Sequence, residues 1–236
     1  MQNSPAKAAQ RHLQNHWQMI ALIVVIFALW PTQIIQPLRI LIVFLHEMSH
    51  AVMTLLTGGT VLDFSVSANE SGHVTSLGGN RFLTLSAGYL GSLLMGAMMF
   101  ALALRSTWDQ WILGALGIGI AAITVLYIRS PFALMFGLGT AAILIAIAYA
   151  LRPAASDFCL RIIGATSMIY VPYDIFSDTI RGAAQRSDAR MLAEEFGGAT
   201  LLWGALWLAI SLVFIAITLR TALKHPSNLR WNPPET

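Results

Sequence analysis

Two histidines and a glutamate lie within one short segment of this sequence, as His46, Glu47 and His50. If the segment is helical, the two histidines are four residues apart and share one face, so both imidazoles can bind the same metal ion. Glu47 then projects from the adjoining side and can act as general base towards a water molecule that the metal activates. The residue types and their spacing therefore predict the site of a zinc hydrolase.

These three residues lie in the middle of an apolar run, from Pro37 to Leu56, that is long enough to cross a lipid bilayer. Charged and imidazole side chains are costly inside hydrocarbon, and in a transmembrane segment they mark a functional site by default. We therefore expect the hydrolysis to take place within the membrane.

The composition is that of a membrane protein. Of 236 residues, 56% are hydrophobic and only 11% are charged, which leaves too little charge to coat a water-facing surface. The net charge of +3 comes from basic residues in short connections and near both ends, a distribution that suits anionic lipid rather than nucleic acid. The single cysteine, Cys159, excludes a disulfide framework and a cysteine-based metal site.

The apolar runs predict an all-α polytopic membrane protein with six to seven transmembrane helices, because each run is close to the ~20 residues that a crossing needs. A polar, basic leader (1–17) and a polar tail (221–236) would flank one membrane-embedded domain (18–220). Apolar and β-branched residues alternate over residues 60–77 around a turn-forming sequence, which predicts a short β-hairpin after the metal-binding helix, with a plain surface loop as the alternative. The predicted spans are 18–36, 38–57, 82–104, 109–128, 131–151, 158–180 and 199–219.

The charges near the two ends of the chain leave two topologies open. Lys7 and Arg11 favour a cytoplasmic N-terminus under the positive-inside bias. A cytoplasmic connection before the last span is favoured by Arg181, Arg186 and Arg190, and seven crossings allow both. A cytoplasmic C-terminus is favoured by Arg220, Lys224 and Arg230, and seven crossings would place these outside. Seven crossings would place the two ends on opposite sides of the membrane. Six crossings plus one re-entrant segment would place them on the same side.

A catalytic zinc site needs a third protein ligand and leaves the fourth position to water. At membrane depth, carboxylates occur only near the end of the sixth predicted span, at Asp174 and Asp178, which share one helical face. Asp174 is the expected ligand because it lies deeper and follows Pro172, and Asp178 is the alternative ligand or an orienting partner. His12 and His16 have the same spacing as the central histidines, but they lie in the polar leader, where solvated side chains are expected.

These motifs together resemble the site-2 protease family of intramembrane zinc metallopeptidases. The resemblance rests on the motif from His46 to His50, the hairpin after it, the Ser86-Ala87-Gly88 segment of the third span, and an aspartate on a later span. Tyr173-Asp174-Ile175 and Arg186-Ser187-Asp188-Ala189 look like sequences of the compact branch of that family, found in bacteria and plants, which carries no PDZ or CBS domain. The Leu-Asp-Gly sequence that carries the third ligand in the better-known branch does not occur here.

The resemblance implies a metallopeptidase that hydrolyses peptide bonds in or near the transmembrane segments of other membrane proteins. Zn²⁺ would be held by His46, His50 and Asp174, with Glu47 as the catalytic base, and the hairpin would pair with an unwound substrate strand. The implied partners are a membrane protein substrate with a transmembrane helix and the lipid bilayer, without nucleic acid. The implied location is the bacterial inner membrane.

Two other interpretations are compatible with the sequence. The chain could be a metal-binding membrane regulator or scaffold without proteolytic activity, although a purely structural site needs no base between its histidines. It could also be an unrelated membrane zinc peptidase whose third ligand is Glu194 or Glu195, in the charged connection before the last span. We consider a solvated helix the better interpretation of that connection.

Overall fold

A computed structural model describes residues 5–181 and 187–229 of the chain. Within these residues lie eight α-helices, one two-stranded antiparallel sheet and one π-helical turn, Ser177–Arg181. The strands are β1 (Thr60–Val66) and β2 (Gly72–Leu77). The helices are α1 (Pro5–Leu29), α2 (Gln36–Leu56), α3 (Arg81–Arg105), α4 (Asp109–Tyr127), α5 (Pro131–Ala150), α6 (Pro153–Phe176), α7 (Asp188–Phe196) and α8 (Thr200–Ala222).

Local sequence signals explain where several helices begin. α2, α5 and α6 each have a proline in the first turn, where the missing N–H removes no intrahelical hydrogen bond. α3 is capped by Asn80, whose side chain accepts a hydrogen bond from the Leu83 N–H at 3.1 Å. α7 is capped in the same way by Ser187, which accepts from the Arg190 N–H at 3.3 Å. These signals fix the starts of the helices that surround the candidate site.

Six of the described helices are long and apolar enough to cross a membrane: α2, α3, α4, α5, α6 with the turn after it, and α8. They coincide with the second to seventh predicted spans to within a few residues. The first predicted span lies on α1, whose apolar part, Leu13–Leu29, is shorter than the other six. The chain is therefore a multi-pass membrane protein, and the predicted helical fold with a short hairpin is confirmed.

The six spanning helices divide into a central and a peripheral set. In the most apolar stretches of α2, α3 and α6, 61%, 56% and 61% of the residues are buried, against 28%, 28% and 17% in α4, α5 and α8. A helix that is apolar all round but little buried faces lipid. The polar residues of the candidate site lie on or beside the central set.

Small residues let α3 and α6 approach each other closely. A Cβ added at Gly164 on α6 would lie 2.5 Å from the Gly96 carbonyl oxygen on α3, and one added at Gly96 would meet the side chain of Ser167. The Ser167 hydroxyl donates a hydrogen bond to the Ser92 carbonyl oxygen at 2.8 Å. Close packing of small residues and hydrogen bonds between helices are the interactions that hold helices together in lipid.

The predicted hairpin is confirmed over the expected residues. β1 and β2 pair antiparallel from Thr60 opposite Leu77 to Val66 opposite Gly72, with an irregularity in the register between Val61 and Asp63. The inner face of β1 is buried, and Phe64 packs on Phe44 of α2 with ring centroids 4.8 Å apart. The hairpin is therefore part of the packed protein and not a free surface loop.

The tip of the hairpin is tied to the beginning of α2. Glu70, in the turn, has a positive φ of 66° and forms an ion pair with Arg39 at 2.8 Å. The Gln36 side chain donates to the Ala68 carbonyl oxygen at 2.7 Å. Since the hairpin follows the end of α2 and its tip contacts the start of α2, it runs back along that helix, past the histidines.

The two ends of the described chain lie together. The Ser227 N–H donates to the Asn15 carbonyl oxygen at 3.0 Å, and the Leu229 N–H donates to the Gln18 side chain at 2.6 Å. His16 contacts the Ser227 hydroxyl at 2.8 Å and is only 2% exposed, so the expectation of a solvated side chain was wrong for His16 because the C-terminal segment covers it. The side chain of His12 lies outside the described residues.

Arg161 provides a test of how this end of the bundle is held together. Its guanidinium is 8% exposed, pairs with Asp157 at 2.5 and 2.8 Å, and donates to the carbonyl oxygens of Ser227 and Ala103. Arg161→Met leaves the Asp157 carboxylate buried without its partner, which typically costs about 3–5 kcal/mol. We expect a loss of this size in the free energy of unfolding, measured by denaturant titration in detergent.

A matched control for this variant is Arg81→Met. Arg81 pairs with Glu195 at 3.2 Å, but the two side chains are 40% and 46% exposed. An exposed pair contributes about 0–1 kcal/mol, so this variant should unfold almost as the wild type does. Equal losses in the two variants would contradict a stabilising role for the buried pair.

Candidate metal centre

His46 and His50 lie on one face of α2, as their spacing predicts. Their Nε2 atoms are 3.0 Å apart, and the ring centroids are separated by 4.7 Å with the planes at 75°. His50 is buried and His46 is mostly buried. Both ring nitrogens thus point to the same small region between α2 and α3.

A backbone carbonyl of α3 sets the orientation of His50. The Nδ1 atom lies 2.7 Å from the Thr84 carbonyl oxygen, and since a carbonyl only accepts, Nδ1 carries the proton. In the neutral ring the Nε2 atom then carries a lone pair, with which it can bind a metal ion, and in the protonated ring the same atom donates to Asp188. A donor bond of this kind from the second ring nitrogen is the usual arrangement of a metal-binding histidine.

The third member of the cluster is Asp188, the first residue of α7. Its Oδ2 atom lies 3.1 Å from the Nε2 atom of each histidine, and the residue is 7% exposed. Burial by itself would raise the pKa of Asp188, but the charge of His50 and the hydrogen bonds from His46 and His50 hold it below its usual value. Asp188 is therefore an ionised carboxylate between two imidazoles.

The three ligand atoms have the spacing of a metal site. Ligands at 2.0–2.2 Å from a tetrahedral zinc ion are separated from one another by roughly 3.3–3.6 Å, which is slightly more than the 3.0–3.1 Å found here. Two imidazole nitrogens and one carboxylate oxygen form a donor set that zinc favours, with one position left open. Among the described residues, these three form the group of potential ligands that converges within 4.8 Å.

Gly88 on α3 provides the room for this cluster. A Cβ added to it would meet the Nε2 atoms of both His46 and His50, the latter at 2.5 Å. Any larger residue here would occupy the space towards which the ligand atoms point. The glycine of the Ser86-Ala87-Gly88 segment therefore has a steric role at the site in addition to helix packing.

Glu47 lies beside the cluster but is not one of its ligand atoms. It is 6% exposed, and a Cβ added at Gly72 of β2 would lie 2.6 Å from its Oε1 atom. Its carboxylate is close enough to His46 and His50 to interact with their charges. Glu47 thus lies between the candidate metal ligands and the start of β2.

The structure places the two aspartates of α6 and its following turn near the cluster but outside the converging group. The Tyr89 hydroxyl donates a hydrogen bond to Asp178. Asp174 is close enough to His46 and Asp188 to interact electrostatically, but it is not in the converging group. Asp188, and not Asp174, is thus the carboxylate with an oxygen 3.1 Å from the Nε2 atoms of both histidines.

The reason for this difference is the path of the chain after α6. The third ligand was expected at membrane depth, whereas Asp188 follows the sixth span in a polar connection. The π-helical turn and α7 bring that connection back over the site, where Ala189 and Leu192 are fully buried. The sequence did contain an indication of this carboxylate, because Ser187-Asp188-Ala189 is similar to sequences of the compact branch. The same segment begins with a residue that caps a helix.

The glutamates of α7 are surface residues. Glu194 pairs with Arg190 at 2.8 Å and Glu195 with Arg81 at 3.2 Å, and the carboxylate side chains are 59% and 46% exposed. This placement agrees with a solvated helix face and separates both glutamates from the histidines. It removes the main support for the interpretation in which either one is the third ligand.

Comparison with protein families gives a match over most of the chain. A family model described as Peptidase M50B-like matches residues 19–218, which include the candidate ligands, the hairpin and the central helices. This match confirms the resemblance to the site-2 protease family. Comparison with curated proteins and with solved structures gave no significant match.

Gly88→Ala tests the space around the cluster. The added methyl group would meet both imidazoles, so we expect the affinity of the metal-free protein for Co²⁺ to fall at least about 10-fold, the size of effect seen when the surroundings of metal ligands are disturbed. Visible absorption of bound Co²⁺ measures the affinity. Gly119→Ala is the matched control, since a Cβ there meets nothing within 4 Å. Unchanged Co²⁺ binding by the Gly88 variant would contradict this placement of the site.

Proposed function

The chain belongs to the Peptidase M50B-like family, and from that premise we propose that it is an intramembrane zinc metalloprotease. It would hydrolyse peptide bonds in or near the transmembrane segments of other membrane proteins. The observation that carries the proposal is the convergence of His46, His50 and Asp188 to within 3.0–3.1 Å of one another, with Glu47 beside them.

The three converging residues would hold the metal. His50 and His46 supply neutral nitrogens from one helix, and Asp188 supplies a negative oxygen from α7, so the set compensates part of the charge of a divalent ion. Zinc bound there would act as a Lewis acid, polarising the substrate carbonyl and making water a stronger nucleophile. Asp174 and Asp178 then remain near the site without binding the metal.

Glu47 would carry the proton. One of its carboxylate oxygens would accept a proton from the attacking water and give it to the amide nitrogen as the C–N bond breaks. Two observations support this role: the carboxylate is not among the converging ligand atoms, and it lies one residue from His46 on α2. A site that only stabilised the fold would gain nothing from a buried carboxylate in this position.

The hairpin would hold the substrate. The backbone groups of a transmembrane helix are paired internally, so a substrate must unwind locally before its peptide bond can be attacked. On the outer side of β1, Phe64 already bridges to Ile128, whereas among the described residues no strand pairs with the outer edge of β2. An unwound strand added to β2 would lie next to Gly72 and therefore close to Glu47.

The setting fits a protease that acts on membrane proteins. Six spanning helices surround a polar site whose ligands lie on or beside the three most buried of them. We propose the bacterial inner membrane as its location, because the net charge of +3 and the basic residues of the connections suit an anionic leaflet. The partners would then be the bilayer itself and substrates with a transmembrane helix.

The alternative is a metal-binding membrane regulator with the same fold and no proteolytic activity. The burial of Glu47 beside the ligand cluster favours the enzyme, because a regulator would not need a base there. The two functions differ in one measurable property, since both predict bound zinc and only the enzyme predicts cleavage. Metal content and cleavage must therefore be measured on the same preparations.

The first prediction from this proposal concerns the third ligand. Asp188→Ala should reduce the zinc content of the detergent-purified protein from about one ion per chain to a small fraction of that, since a two-histidine site binds weakly. Asp174→Ala and Glu194→Gln should keep their zinc. Elemental analysis of the purified variants measures the content. Zinc lost in the Asp174 variant and kept in the Asp188 variant would show that the ligand is Asp174.

The second prediction concerns the base. Glu47→Gln should keep about one zinc per chain, because it removes no ligand, and should lower the cleavage rate at least about 100-fold. Cleavage is measured by co-expression with a panel of epitope-tagged single-span membrane proteins, from the amount of shortened fragment. Glu194→Gln, a substitution on the exposed face of α7, is the control for the loss of one negative charge. Undiminished cleavage by the Glu47 variant would contradict the mechanism.

A further inference from the structure

Tyr89 on α3 is a buried residue next to the candidate ligands, and the mechanism gives it no part. It is 1% exposed and contacts three different elements of the fold. Its ring lies against His46 of α2 and Trp207 of α8, and its hydroxyl donates to Asp178 in the turn after α6. A side chain that joins these three elements beside a metal centre is placed to set the geometry of that centre.

The first contact fixes one of the imidazoles. The Tyr89 and His46 ring centroids are 4.7 Å apart with an interplanar angle of 80°, and on its other side Tyr89 packs against Trp207 at 5.2 Å. Edge-to-face ring pairs of this kind are favourable beyond their buried area. The ring of His46 therefore packs against a side chain that is itself held by the rigid packing of α3 and α8.

The second contact holds the π-helical turn that packs against α7, the helix that begins at Asp188. Asp178 lies in the π-helical turn Ser177–Arg181, and π-helical turns are frequent at functional sites. Thr179 in the same turn faces Gly204 of α8, where an added Cβ would meet its side chain. The turn is thus held from two sides, and Asp188 follows Asp178 by only ten residues along the chain.

We propose that Tyr89 is a positioning residue of the metal centre, whose ring orients His46 and whose hydroxyl holds the turn that leads to Asp188. The inference rests on the proposed zinc site of His46, His50 and Asp188. It requires a tyrosine, because phenylalanine would keep the ring contact with His46 but leave the mostly buried Asp178 carboxylate without this donor. One side chain thus links a ligand on α2 to the segment that supplies the ligand on α7.

The experiment measures zinc affinity and does not depend on cleavage. Metal-free wild type and the variants Tyr89→Phe, Asp178→Ala and the double variant are titrated with zinc in competition with a chromophoric chelator. Tyr170→Phe is the matched control, since Tyr170 is also buried, at 5% exposure, but packs against Trp30 and not against the ligands. Circular dichroism of each metal-free variant checks that the helical fold is kept.

We expect each single variant to bind zinc about 10-fold more weakly than the wild type, as is typical when a residue that supports a ligand is lost. The double variant should be no weaker than the weaker single variant, because both substitutions remove the same hydrogen bond. The visible spectrum of Co²⁺ in the Tyr89→Phe variant should shift, which reports a changed ligand geometry. Tyr170→Phe should bind zinc within about twofold of the wild type, because it changes nothing beside the ligands.

Two results would overturn the inference. If Tyr89→Phe and Asp178→Ala bind zinc as tightly as Tyr170→Phe does, with an unchanged Co²⁺ spectrum, Tyr89 has no positioning role. If the losses in zinc-binding free energy of the two single variants add up in the double variant, the hydrogen bond between Tyr89 and Asp178 is not their common cause. His46→Ala separates this inference from the proposed function: zinc lost in that variant but kept in the Tyr89 and Asp178 variants would overturn the inference alone, and zinc kept in His46→Ala would overturn both.

Discussion

The polar side chains of the candidate centre are largely buried, so their atoms need partners within the protein. The second ring nitrogen of His50 has the Thr84 carbonyl oxygen, Asp178 has the Tyr89 hydroxyl, and the Asp188 carboxylate has both histidines. Each of these contacts joins two elements of the fold. The arrangement of α2, α3, α6 and α7 can therefore be understood as the packing that satisfies one buried polar cluster.

Two glycines show how closely the neighbouring elements approach α2. Gly88 of α3 faces the two histidines and Gly72 of β2 faces Glu47, and in both places an added Cβ would meet the functional side chain. The candidate metal ligands therefore face a glycine of α3, and the candidate base faces a glycine of β2. Both elements pack against α2. A residue larger than glycine at either position would therefore fill the space beside these side chains.

The features of this structure that depend on local sequence could be predicted. Contacts between residues far apart in the sequence could not. The shared face of His46 and His50 follows from helical periodicity, and the hairpin and six spanning helices follow from alternation and from the length of apolar runs. Asp188 lies in a polar connection, and only the fold shows that this connection returns to the site. The burial of His16 could not be predicted for the same reason, because the segment that covers it lies more than two hundred residues later in the chain.

The distance along the chain between the ligands has a consequence for biosynthesis. His46 and His50 are four residues apart, whereas Asp188 follows His46 by 142 residues. At about 5–20 residues per second, a ribosome needs roughly 7–30 s to make that stretch. A nascent chain therefore carries two candidate ligands and the candidate base in one helix well before the third candidate ligand is made. The cluster can form only when most of the helical bundle has been synthesised.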